Sequence, residues 1–277
     1  MLQDQAMLAN LNIRSWTARK HDKAVSAEVD TAHNAQDGGR YNKMLIDKSA
    51  LDPISKHSGR IRDYHYTMTL PWGDNGDRLL PARVYMDYTA AMRKFKDDGE
   101  ILTRTFITQY PQLVADARNR LGTMYDAQDY PDVSDIRDRF GLSVSFLPVP
   151  DAKDFRVDVG AEALAEIKES INAAVAERQA GAVKECWQRL FDAVSKLEAM
   201  MLKEKPIFRD SIVGNVQELV EMLPRLNITN NQALINVCAT AKLKLDEPCV
   251  RLRRNPNDRK RLAIEAGAVL QMIAEQM

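Results

Sequence analysis

The stretch from Ala161 to Lys205 constrains this chain more than any other. It contains no proline and a single glycine, Gly181, and its apolar residues recur at the three- and four-residue steps that gather on one helix face. Unbroken, it makes a rod of about 66 Å at 1.5 Å per residue, against roughly 11 to 12 residues for an ordinary helix. A rod of that length needs a partner along its apolar face. Leu164, Ile167, Ile171 and Ala174 trace one seam, and Val183, Cys186, Leu190, Ala193, Leu197 and Met200 trace another. The step from Ala174 to Val183 breaks the heptad with Gly181 inside the break, which predicts a bend or a change of phase there. Lys205-Pro206 is the expected end of the rod, because proline disfavours helical geometry in the residue before it.

A second long pattern runs from Pro81 to about Ala127. Tyr85, Tyr88, Met92, Phe95, Leu102, Phe106 and Leu113 alternate at three- and four-residue spacing or its multiples, Gly99 fills one heptad position, and Pro111 is expected to kink or divide the helix. Two such patterns predict long antiparallel helices forming a coiled-coil-like stalk, with Leu164, Ile167, Ile171, Val183, Leu190 and Leu197 as its helix-pairing residues. Three short stretches alternate as strands do: Tyr64 to Leu70, Leu142 to Val149 and Phe155 to Val159. The last two predict a β-hairpin inserted at about 140–160, with Pro148 at an edge. Leu11, Ile13 and Trp16 make too short a pattern to separate strand from helix. A helix is expected from Ala18 to Ala35, ended by Asp37-Gly38-Gly39, and another starts at Leu51-Asp52-Pro53-Ile54. Shorter helices follow: Arg209 to Leu223 ended by Pro224, Asn230 to Leu243 capped by Thr229 or Asn230, and Asn257 to Met277 capped by Asn255 or Asn257.

The fold class read from these patterns is mainly α with a small β-sheet, an α+β chain. In order it comprises an N-terminal α/β segment contributing a strand (1–80), a long helical hairpin carrying the β-hairpin insertion (81–205), and a C-terminal helical region with a basic patch (206–277).

Charge narrows the function classes. The 39 Lys and Arg balance the 39 Asp and Glu, so the whole molecule is no electrostatic match for nucleic acid or an anionic membrane, and any such binding must come from a local patch. Cys186, Cys238 and Cys249 are too sparse for a disulfide framework and lack the paired spacing of a zinc site. Cys186, on a seam, reads as a small buried hydrophobe. With no secretory leader pattern and no apolar run near eighteen residues, the expectation is a soluble, reduced, cytoplasmic protein with no membrane partner.

Catalytic signatures are missing: there is no GxxxxGK[ST], GxSxG, HExxH or GxGxxG. His21, His33, His57 and His65 are scattered at spacings that set no two on one helical turn. No catalytic, cofactor-binding or metal-ligating residue is therefore assigned. Asp74, Asn75 and Asp77 lack the spacing of a calcium loop and read as an Asx turn. Asp129, Asp132 and Asp135 would make a composite carboxylate site only for a hydrolase; the plainer reading places acids at a helix N-terminus, where the dipole favours them.

The densest basic patch comprises Lys242, Lys244, Arg251, Arg253, Arg254, Arg259, Lys260 and Arg261, set against Asp246, Glu247 and Asp258. Such a cluster suits phosphate contacts, and so single-stranded nucleic acid. It equally suits a solvated face that pairs with the acidic stretch Asp129 to Asp138 or with a partner protein.

One resemblance gathers several of these segments. Leu11-Asn12-Ile13-Arg14-Ser15-Trp16, Leu45-Ile46-Asp47, Leu51-Asp52-Pro53-Ile54, the long helix after Pro81, and Ile136-Arg137-Asp138-Arg139-Phe140-Gly141 leading into Val144-Ser145-Phe146 resemble an uncharacterised family of bacteriophage and mobile-element proteins, a domain of unknown function, across about residues 8 to 205. The resemblance implies a phage or integrated-element origin in a bacterial host. It also implies an AAA+ ATPase partner, because such proteins are often encoded beside a MoxR-type AAA+ ATPase and a von Willebrand A-type protein. The family has no established catalytic residues to carry over. The functional expectation is a non-enzymatic assembly or adaptor subunit that binds a protein partner or itself; the alternative is single-stranded DNA binding.

Overall fold

The structure is a computed structural model that describes residues 2–157, 159–204 and 211–277. In chain order its elements are β1 (Ala6–Arg14), β2 (Arg19–His21), α1 (Lys23–Ala32), β3 (Asn42–Met44), α2 (Lys48–Met68), β4 (Leu70–Pro71), β5 (Asp77–Pro81), α3 (Tyr85–Leu121), α4 (Val133–Asp138), β6 (Gly141–Pro148), α5 (Ala161–Met201), α6 (Ser211–Leu226), α7 (Gln232–Lys244), α8 (Cys249–Arg254) and α9 (Pro256–Ala274). The chain is α+β: mostly helix, with a four-stranded sheet in the order β4-β5-β1-β6 and a two-stranded pair, β2-β3. No helix among the described residues is long and apolar enough to cross a membrane.

The chain divides into two compact units built from discontinuous segments. The larger comprises Met1–Asn10, His65–Tyr88 and Ser145–Met277; the smaller comprises Leu11–Tyr64 and Thr89–Val144.

The core of the larger unit is organised by the second half of α5. Ala182, Cys186, Leu190, Val194, Leu197 and Met201 recur every three or four residues and are buried with Trp187. This face packs against α6 and α9, while α7 packs on both of those helices. Asn231 caps α7 by accepting from the Ala233 and Leu234 amides at 2.9 and 3.3 Å, and Asn255 caps α9. A hairpin, β4-β5, joins the unit through antiparallel pairing of β5 with β1, Leu8 facing Leu79. Its turn is tied by the Asn75 side chain, which accepts from the Asp77 amide at 3.2 Å in an Asx turn. Arg78 and Arg189 both donate to the Thr69 carbonyl, at 3.3 and 2.9 Å, just past the C-terminal end of α2, where cations offset the helix dipole.

The smaller unit has an aromatic core. Trp16 meets Phe106 and Tyr110 edge-on at 6.3 and 5.9 Å, and Phe140 meets Phe106 at 5.6 Å, with Leu45, Ile46, Ile54 and Ile136 buried around them.

Several expectations are corrected. Tyr64 to Met68 continues α2 and is not a strand, because Ile54, His57, Ile61, His65 and Met68 share one buried helical face that outweighs a short alternation. The strand that sequence left ambiguous is β1. Phe155 to Val157 forms no second strand, so the expected hairpin reduces to β6 alone; Asp158 lies outside the described residues. Pro111 and Pro224 sit inside α3 and α6 without dividing either helix. α5 runs unbroken through Gly181 and ends at Met201; Pro206 lies outside the described residues, as do Arg209 and Asp210, so α6 is described from Ser211.

The helix-pairing residues split at that glycine. Leu190 and Leu197 are buried and Val183 half-buried, whereas Leu164, Ile167 and Ile171 are only half-buried, and α5 buries no side chain before Ala182. Within its unit, α5 packs on α6 and α9.

Candidate partner-binding groove

A groove of about 720 Å³ is built wholly within the smaller unit. α3 supplies Lys96, Gly99, Glu100, Thr103, Arg104, Ile107 and Thr108, whose three- and four-residue steps make them a single helix face. α2 contributes Ile54, His57, Ser58 and Ile61 by the same periodicity. The ends of β1 and β6 bring Ile13 with Arg14 and Gly141 with Ser143, and α4 adds Arg137 and Asp138.

Two backbone approaches shape it. His57 is buried and donates from Nε2 to the Phe95 carbonyl at 2.8 Å, which leaves Nδ1 to accept from Arg60 at 3.3 Å. This contact needs a small residue one turn further along α3, and a Cβ on Gly99 would stand 3.4 Å from Nε2. The Arg14 guanidinium lies against Gly141, where a Cβ would come within 2.8 Å of Nη2. A side chain at position 141 would therefore have to displace the tip of Arg14.

The lining is aliphatic below and cationic above. Ile54 and Ile61 are buried, while Ile13 and Ile107 are half-buried. Arg14, Lys96, Arg104 and Arg137 are exposed, and none holds an ion pair among the described residues. Only Glu100 and Asp138 oppose them in the lining.

Beside this open charge the smaller unit contains closed charge. The Lys43 ammonium, 8% exposed, lies 2.6 Å from Asp129 and 3.4 Å from Asp22, and donates to the Met124 carbonyl at 2.8 Å. Lys20 also binds Asp129, whose side chain is 2% exposed. Burial alone would lower the Lys43 pKa, but hydrogen bonds and charge from Asp129 and then Asp22 hold it above the ordinary range. Burial would raise Asp129, and Lys20 and Lys43 hold it below the ordinary range. Asp129 is therefore a structural anion. Asp132 and Asp135 are exposed at the start of α4, and among the described residues no group of three or more His, Cys, Asp or Glu side chains could hold a metal ion.

The C-terminal basic residues are largely occupied within the larger unit. Lys242 pairs with Glu221 at 2.8 Å, Lys244 with Glu265 at 2.6 Å, Arg251 with Glu247 at 3.9 Å, and Arg261 with Glu247 and Asp258. Arg259 donates to the Leu252 carbonyl at 2.9 Å, and Arg253 is also engaged. Arg254 and Lys260 are exposed and hold no ion pair among the described residues. The acids that neutralise the patch are its own neighbours in α6 and α9 and in the turn before α8. Cys186 and Cys238 are buried, and burial pushes their thiols up to about 11 and about 12, which keeps them protonated and unreactive.

The groove residues were not singled out as a site by any motif. Their signal was indirect: Ile13-Arg14, Ile54 and Arg137-Asp138 with Phe140-Gly141, drawn from three separate segments of the resemblance described above, line this one cavity. The chain matches no protein-family model, and no curated protein or solved structure is significantly similar to it.

Proposed function

We propose that this chain is a non-enzymatic assembly or adaptor subunit of phage or mobile-element origin, working in the cytoplasm of a bacterial host, which binds a protein partner in the groove of the smaller unit. The observation that carries this reading is the convergence of three distant segments on one cavity with an aliphatic floor and unpaired cations at its rim. Interfaces join an apolar centre to a polar rim in the same way. The resemblance names the partner class, a MoxR-type AAA+ ATPase. In this reading α5 is a brace, with its buried second half anchoring the larger unit.

Reconstitution with such an ATPase, followed by size-exclusion chromatography with light scattering, tests the proposal. A defined complex is expected, and Thr103→Trp, which fills the groove without changing charge, should abolish it. Lack of a complex, or one indifferent to Thr103→Trp, would overturn the reading.

Single-stranded DNA on the C-terminal patch is the second reading, supported by Arg254 and Lys260. It requires affinity that falls steeply with salt and is lost in Arg254→Ala/Lys260→Ala; fluorescence anisotropy that finds neither removes it.

A further inference from the structure

Resting on the groove reading above, we infer that the occupant is an acidic amphipathic helix, with aliphatic side chains on one face and Asp or Glu along the flanks of that face. Three observations lead there. The α3 wall runs from Lys96 to Thr108, a rise of about 18 Å, or three turns of helix. An amphipathic helix lays apolar anchors at i, i+3/i+4 and i+7 into a groove of that length. The floor is chiefly isoleucine: Phe140 is buried in the core, and Phe95 is held edge-on by Tyr64 at 5.5 Å and His57 at 5.8 Å. Nucleic-acid bases want exposed aromatic faces to stack on, and this floor offers aliphatic side chains instead.

The charges complete the assignment. Arg14, Lys96, Arg104 and Arg137 outnumber Glu100 and Asp138 in the lining, and all four cations lack an intramolecular ion pair among the described residues. Lys96 and Arg104 stand eight residues apart on α3, about 12 Å along the axis, too far to share one phosphate or one small anion. Cations spaced along a wall match carboxylates spaced along a helix. Such complementarity also rejects basic partners, because like charges across an interface are strongly unfavourable.

Peptides of about 16 residues with the same leucine spacing, flanked by Glu, Gln or Lys, separate shape from charge in fluorescence anisotropy, with an oligo-dT strand as the polyanion control. The Glu peptide should bind about tenfold tighter than the Gln peptide, from several rim pairs acting together, and the Lys peptide should not bind. Arg104→Glu/Arg137→Glu should invert that order, and both residues are exposed, so folding is not at issue. Arg14→Ala, which removes one rim cation, should weaken only the Glu peptide. Equal binding of the Glu and Gln peptides, preference for the Lys peptide, or binding of oligo-dT at the groove would overturn the acidic occupant. Should the acidic preference fail while Thr103→Trp still abolishes the ATPase complex, the groove reading survives and this inference does not. Should Thr103→Trp leave that complex intact, the groove reading itself falls.

Discussion

The two units handle charge in opposite ways. The smaller one encloses Lys43, Asp22 and Asp129 against its core and leaves the cations around its groove unpaired. The larger one fills its interior with helix faces such as Leu190, Leu223, Leu234 and Ala266, and pairs Lys242, Lys244 and Arg261 with acids at its surface. The denser run of basic residues in the sequence is thus the more neutralised one in space. What recommends a surface for binding is unpaired charge beside apolar floor, and residue counts do not report pairing.

This contrast can be broken most sharply at the buried cluster. Lys43→Met leaves two carboxylates facing each other with the Met124 carbonyl unpartnered, and should destabilise the smaller unit by about 3 kcal/mol. Lys244→Met breaks an exposed pair and should cost the larger unit less than about 1 kcal/mol. Hydrogen exchange resolved to peptides of each unit reads both; equal costs would dissolve the distinction.

A comparable difference lies within α5. Leu190→Ala opens a cavity in the core and should cost about 3 kcal/mol, while Ile167→Ala, half-buried, should cost less than about 1 kcal/mol. Urea unfolding followed by circular dichroism provides the comparison. A large loss at Ile167 would mean that the first half of the helix is covered in solution, which would revive pairing along the first seam.

Acid should separate the units by pH. His65 is buried against the Tyr88 hydroxyl, 2.8 Å away, and burial, then the nearby Arg78 charge, lowers its pKa to about 4. Its stabilisation of the larger unit is whole above the ordinary imidazole value of about 6.5 and declines as pH falls from there to about 4. Asp129 has a lowered pKa, so its contribution to the smaller unit persists until pH falls below the ordinary carboxylate value of about 3.9 and through the lower folded one. Lys43, held high, loses its contribution only as pH rises through a value above about 10.4. Protection factors, taken against the intrinsic exchange rate at each pH, should therefore fall first in the larger unit between pH 7 and 4, and His65→Gln should flatten that fall. Simultaneous loosening would refute the assignment.

The smallest expected effect concerns Gly181. It is exposed in mid-helix, and a Cβ there would meet nothing within 4 Å. Gly181→Ala should stabilise the larger unit by about 0.5–1 kcal/mol, visible as a higher Tm. A loss would instead restore the expected bend.

Legibility in the sequence followed the range of the interaction. The existence of the long helices, the caps near Asn231 and Asn255 and the buried role of Cys186 rest on neighbours a few residues apart and are legible, the caps to within a residue or two; helix ends are less so, α3 spanning Tyr85–Leu121 against an expected Pro81 to about Ala127. The seam break at Gly181 marks a change from a half-buried to a buried face within one continuous helix. The alternation from Tyr64 to Leu70 also fits the end of a helical stripe: its first five residues finish α2, only Leu70 enters β4, and the packing of His65 and Met68 makes the choice. The groove was legible only as disconnected fragments.

By itself the sequence determined the α+β class, the existence of two long helices and the scarcity of catalytic motifs, since periodicity, proline placement and motif spacing are local properties of the chain. Only the tertiary structure decided which charges are free. Lys43 and Arg14 look alike in a string of residues; one is held beneath the surface by two carboxylates more than one hundred positions apart, and the other lies along a glycine 127 residues away with its charge still open. Coulombic pairing depends on distance in space, and chain separation carries almost no information about that distance.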